Sequence, residues 1–133
     1  VGNARSACRI DMPIVDIQLV VAGTDSVPAG LVQAVANALG QLFESPPGHT
    51  WVRASTLSAS NYAENGPRPA TGDLPVFVTL LLAEPPQGDA RAIQAARITT
   101  AVAAAVGRNA GSVHLEYAAS GKGRMAFGGV LMQ

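Results

Sequence analysis

Apolar and polar positions along this chain spell strand, helix, strand, and then the same order a second time. Residues 14–21 are rich in β-branched and aliphatic side chains, as a buried strand should be. Gly23-Thr24-Asp25 supplies turn chemistry, Ser26 is a candidate N-cap, and Pro28 is tolerated in a first helical turn. A helix is predicted from there to Phe43, with Leu31, Val35, Leu39 and Leu42 on one face. No charge occurs between Val27 and Phe43, which predicts a helix buried on more than one side. Ser45-Pro46-Pro47-Gly48 ends it, and residues 50–57 read as a second strand. The order restarts with a strand at 75–82, a turn at Pro85-Pro86-Gln87-Gly88, a helix over 89–106 stopped by Gly107, and a strand at 112–118.

The two halves keep one spacing. Pro13 and Pro75, Trp51 and Val113, and Gly66 and Gly128 each stand 62 residues apart, which predicts a duplicated architecture with pseudo-repeats over 13–66 and 75–128. Parallel pairing within a βαβ unit needs a right-handed crossover. Two such units give an α/β (α+β) domain, a four-stranded mixed sheet with both helices on one face. The strands read as apolar runs, so the other face is expected to need a cover.

Composition sharpens this picture. At 133 residues the chain is one domain, assigned to 13–133, with 1–12 as a leader or an extension from a misplaced start. Only 14% of residues are charged, few for a solvated monomer, so other copies of the chain are expected to cover part of the surface. Net charge is zero without a basic run, which argues against nucleic acid. The apolar stretches near 75–83 and 101–106 are too short for a bilayer. Residues 1–12 carry Arg5, Arg9 and Asp11 and lack the apolar middle of a signal peptide, so a cytoplasmic protein without membrane partners is expected. Cys8 is the only cysteine, which excludes an internal disulfide or a cysteine-rich metal cluster.

Met12-Pro13-Ile14-Val15, followed by strand, helix and a strand bearing Val52-Arg53, resembles the opening of 4-oxalocrotonate tautomerases. The doubled length, Ser26-Val27-Pro28 before the first helix, and Val113-His114-Leu115-Glu116-Tyr117 are similar to macrophage migration inhibitory factors and 5-carboxymethyl-2-hydroxymuconate isomerases. The resemblance to this tautomerase superfamily spans residues 13–133. It implies a homotrimer whose three sheets form an inner barrel, with sites between subunits around an amino-terminal proline.

A proline nitrogen is a base only when unacylated. A free α-amino group titrates near ~7.7–8.0, and an apolar pocket lowers that value, so the amine is neutral near pH 7 and accepts a proton. Pro13 meets this condition if Met12 is the start and is removed; with residues 1–12 retained, Pro13 is a tertiary amide and a strand-start proline. By the resemblance, Arg53 binds a substrate carboxylate, a task its fork suits; the competing reading is an intersubunit ion pair. The small tautomerases carry a further arginine where this chain has Gly23-Thr24, which argues against a dicarboxylate unless Arg124 replaces it.

His114 and Glu116 share a strand face and match site-lining positions of the superfamily, against a reading as barrel-interior polar residues. Tyr62 and Asn61 are rim donors or exposed loop residues, and His49 is a surface residue. The segment 121–129 lacks a phosphate loop's Gly-Lys-Ser/Thr ending and opens no helix. The resemblance instead implies a hairpin packed on the neighbouring subunit, with Phe127 as pocket wall or as interface packing. No residue cluster has metal spacing and no dinucleotide fingerprint occurs, so no cofactor and no metal are expected. The expected activity is a keto-enol isomerisation of a small-molecule carboxylate. The alternatives are a hydratase or dehalogenase using Glu116 to activate water, or a catalytically silent trimeric binder with Pro13 blocked.

Overall fold

The computed structural model describes residues 11–133; Cys8, Arg5, Arg9 and most of the expected leader lie outside the described residues. Strands β1 (Ile14–Val21), β2 (Trp51–Ser58), β3 (Val76–Leu81) and β4 (Val113–Tyr117) form one sheet in the order β2-β1-β3-β4. Helices α1 (Leu31–Leu42) and α2 (Asp89–Val106) form the crossovers, and a hairpin of β5 (Ala126–Phe127) and β6 (Val130–Leu131) ends the chain. Each outer strand is parallel to its inner neighbour, and the two inner strands are antiparallel. This is the mixed four-stranded architecture with two helices that the sequence predicts.

Partners in both parallel ladders are 37 residues apart, Ile14 with Trp51 and Val76 with Val113, so the two βαβ units share one register. Burial fixes their equivalence more finely. Val15, Ile17 and Leu19 on β1 match Val78, Leu80 and Leu82, while Val35 and Leu39 of α1 match Ile98 and Val102 of α2. Every one of these pairs is 63 residues apart, one more than the proline spacing. Side chains alternate along a strand, so one residue of shift exchanges the faces. Val76, not Pro75, therefore occupies the position of Pro13.

Two expectations are corrected. Helix α1 is capped by Gly30 at φ 81°, without a side-chain cap, rather than by Ser26. Pro28 disfavours helical geometry at Val27, and a turn from Pro28 to Leu31 precedes the first helical residue. Only Val35 and Leu39 of α1 are fully buried, and the outer face carries exposed Gln33, Asn37 and Gln41. Neutral amides solvate that face without charge.

The sheet face away from the helices is also not a continuous apolar surface. Alternating with buried Val15, Ile17, Val78 and Val113, it presents Asp16, Gln18, Arg53, Thr79, His114 and Glu116, with Phe77 exposed among them. The apolar runs of the sequence conceal these residues because they are scattered one per alternate position. Among the described residues, no helix is long and apolar enough to cross a membrane.

One arginine fastens the two halves at the far end. Past Gly107, Arg108 donates from Nη1 to the Leu74 carbonyl at 2.6 Å and from Nη2 to the Val20 carbonyl at 3.0 Å. Burial lowers its pKa, but a guanidinium stays charged in proteins. Hydrogen bonds from charged donors are worth roughly 1.5–3 kcal/mol when buried, and this pair is partly exposed. Arg108→Ala is expected to lower stability to urea unfolding by about 2 kcal/mol. Arg108→Lys, which keeps the charge and one donor direction, should recover about half of that loss.

Candidate functional site

The amino-terminal end of β1 is enclosed by chain that arrives from the opposite end of the sequence. The Pro13 ring is among the fully buried side chains, under 2% exposed, and its carbonyl accepts from the Trp51 N–H at 3.0 Å. Before it, Met12 holds φ 45°, a left-handed conformation that costs a non-glycine residue energy. The Asp11 carbonyl accepts from the Ala83 N–H at 3.3 Å, which ties this entry to the end of β3.

After β4 the tail crosses the same end of the sheet. Gly121 N–H donates to the Leu82 carbonyl at 2.8 Å and Lys122 N–H to the Ala83 carbonyl at 3.0 Å. Gly121 is required by closeness of approach: a Cβ there would stand 1.9 Å from Met125 Sδ and 3.2 Å from the Leu82 carbonyl oxygen. Met125 is buried by this arrangement, and the β5–β6 hairpin brings Phe127 onto Trp51, stacked at 4.8 Å with 19° between planes. The aromatic wall expected of Phe127 thus forms, within one chain, against Trp51.

Arg53 lies elsewhere. Its Nε donates to Asp16 Oδ1 at 2.6 Å and its Nη2 to Oδ2 at 2.8 Å, a bidentate pair on the open sheet face. The hydrogen bond to Asp16 raises the Arg53 pKa further. Thr79 Oγ1 donates to Glu116 Oε1 at 3.3 Å, so Arg53, Asp16, Thr79 and Glu116 make one polar rung across all four strands. A shallow cavity of about 560 Å³ runs along this rung. Arg53 stands level with Asp16, three residues beyond Pro13, or roughly 10 Å along the strand. Pro13 shares the side of Val15 and Ile17, whereas Arg53 projects to the opposite side. One chain does not bring the two together.

The other candidates divide similarly. His114 and Tyr62 gather around Phe77, with ring centroids 5.6 and 6.0 Å away, at the end of the sheet farthest from Pro13. The Tyr62 hydroxyl donates to Glu64, and that bond raises its pKa. Arg124 is exposed in the turn before β5, and its side chain has no partner among the described residues. His49 donates from Nδ1 to the Pro47 carbonyl at 3.0 Å, and its ring centre lies 6.2 Å from that of Trp51. Among the described residues, no three His, Cys, Asp or Glu side chains are placed to hold a metal ion. Sequence reasoning missed two contacts of consequence. Asp16 is the only charge in β1 and becomes visible as the partner of Arg53 once the register is known. Trp51 had no local signal.

No family model and no curated protein matches the chain. Solved structures do. A fused 4-OT, wild type, solved as a symmetric trimer aligns over 90% of this chain and 94% of its own, at 17% identity and TM-score 0.68. The macrophage migration inhibitory factor of Oncomelania hupensis aligns over 90% and 97%, at 15% identity and TM-score 0.67. Pt0534 inactivated by 2-oxo-3-pentynoate aligns over 90% and 94%, at 15% identity and TM-score 0.67.

The chain has the tautomerase fold. Within that fold the described chain supplies a buried proline at the head of an inner strand, an aromatic pair at the start of β2, and a charged rung on the open face. Because Trp51 is the only tryptophan, its fluorescence reports on the docked tail. Gly121→Ala, which drives Met125 from its seat, and Phe127→Ala, which removes the stacked ring, should each shift Trp51 emission to longer wavelength. Equal emission in wild type and both variants would contradict the docking of the tail against Trp51.

Proposed function

We propose that this protein is a cofactor-independent tautomerase of enol or 2-keto acids. The ring nitrogen of Pro13 is the general base in a chain that begins at that residue, and Arg53 anchors the substrate carboxylate. The observation that carries the proposal is the placement of Pro13 at the head of an inner strand, its ring under 2% exposed. An amine in apolar surroundings is pushed below the ordinary ~7.7–8.0 because burial disfavours its cation. It then takes a proton from the enol oxygen or the α-carbon and returns it to the other atom, so the net reaction moves one hydrogen and one double bond.

Residues 1–12 decide whether this chemistry occurs. In the chain of 133 residues the Pro13 nitrogen is acylated by Met12 and has no basicity. Arg53 already holds a carboxylate, that of Asp16, through two of its five N–H donors, and the remaining donors are available to a substrate. Since Pro13 and Arg53 face opposite ways within one chain, their cooperation requires another copy, and we propose a homotrimer. Trimeric neighbours of the same fold support that reading.

The test compares a form beginning at Pro13 with the full chain. The shorter form should acquire a single adduct of 2-oxo-3-pentynoate on its first residue, read by intact mass and peptide mapping, and the full chain none. The shorter form should also ketonise phenylenolpyruvate roughly 100-fold faster or more, the usual worth of a positioned base. Arg53→Ala in that form should lower kcat/KM by roughly 10- to 100-fold, mainly through KM. The base works unprotonated, so activity falls as pH drops through the amine pKa, with a midpoint below ~7.7. Equal rates for the two forms would sink the proposal.

A further inference from the structure

A second cluster of charge lies off the open sheet face, beside the segment that follows β3. Arg91, in the first turn of α2, donates from Nε to the Pro86 carbonyl at 2.7 Å, and its guanidinium carbon lies 5.4 Å from the centre of the Tyr117 ring. The Tyr117 hydroxyl is itself fixed by a 2.7 Å bond to Gln94 Oε1. Two contacts on different elements therefore hold the guanidinium plane. The edge bearing Nη1 and Nη2 is left without an acceptor among the described residues.

Arg91 and Tyr117 line a concavity of about 400 Å³ with Ser120, Lys122 and Glu84. Lys122 Nζ stands 3.6 Å from Glu84 Oε1, an exposed pair of the kind worth little in water. Among the described residues, the concavity is thus lined by two cations and one carboxylate. Ser120 keeps the wall in place by donating to the Ala83 carbonyl. The placement of Arg91 is electrostatically unfavourable by itself, because the amino-terminal end of a helix carries partial positive charge.

We infer that this concavity binds a small oxyanion, a carboxylate or a phosphate, on the unused edge of Arg91 with Lys122 as second cation. A guanidinium immobilised by stacking and by Nε loses little freedom when an anion takes its fork, and the fork matches two oxygens of either group. Glu84 competes for Lys122, so Arg91 carries most of the affinity. The inference is independent of Pro13 and applies to the full chain.

The test is a nuclear magnetic resonance titration of the full chain with inorganic phosphate and, separately, sodium acetate, each against sodium chloride at matched ionic strength. Saturable shifts of the Arg91 Nε–H and Tyr117 ring signals are expected, with a dissociation constant on the order of 1–10 mM. Saturation with only one of the two anions assigns the site to that chemistry and still supports it. Arg91→Lys keeps the charge but loses the fork, and should weaken binding roughly 10-fold as followed on Tyr117. Lys122→Gln, an exposed change that spares the fold, should weaken it by a smaller factor. Shifts no larger than those in chloride, or undiminished in Arg91→Lys, would overturn the inference.

Discussion

Where β1 runs antiparallel to β3, Val15, Ile17 and Leu19 meet Leu80, Val78 and Val76 across the ladder, and all six side chains point at the helices with 2% or less of their surface exposed. Burying each is worth about 1.5–3 kcal/mol, so this seam alone is comparable with the net stability of a domain. It also fixes direction. Each inner strand needs a parallel partner supplied by its own crossover, and both crossovers must lie on the side that the six residues face. The two outer strands, β2 and β4, are thereby left as edges, and the opposite sheet face is left open.

That open face explains why the strands resist being read by eye. In β1 the sequence Ile-Val-Asp-Ile-Gln-Leu-Val-Val looks buried throughout, yet Asp16 and Gln18 alternate with Val15, Ile17 and Leu19 in strict period. Val20 and Val21 then break the alternation, both buried, at the end where Arg108 bonds to the Val20 carbonyl. Local pattern was sufficient for the existence and bounds of the strands and of α2. The face of each residue was another matter. A spacing taken from prolines at strand starts is one residue short of the spacing taken from burial, and period two turns that single residue into an exchange of faces. Ser26 failed as a cap for a related reason: Pro28 sets the backbone of its neighbour, and that constraint outweighs a favourable cap residue.

The candidate site was legible to an unequal degree. Pro13 announced itself, since Met-Pro directly before an apolar strand is a local signal. Phe127 was legible as an aromatic in a glycine-rich hairpin, but its partner was not. The stacking on Trp51 depends on the tail crossing from β4, at one edge of the sheet, to β2 at the other, by way of the Leu82 and Ala83 carbonyls. Nothing in a linear pattern specifies that path. Asp16 and Arg53 are an intermediate case, because a parallel register of 37 residues makes them neighbours and two charges in apolar strands call for each other.

The ion pair bears on chemistry as well as on packing. A guanidinium facing solvent on a sheet would attract any anion; one already paired with Asp16 presents a nearly neutral surface, with a fork half used. On the proposed reading, a substrate carboxylate must then be held by the donors that Asp16 leaves, in a direction set by Asp16. Selectivity follows from how the charges are placed: a ligand with a second carboxylate meets the Asp16 and Glu116 oxygens along the same rung and is repelled, while a monocarboxylate is not. Gly23-Thr24, where the small tautomerases carry a further arginine, points the same way. Both features favour a small substrate with one acidic group, held by one edge of one arginine.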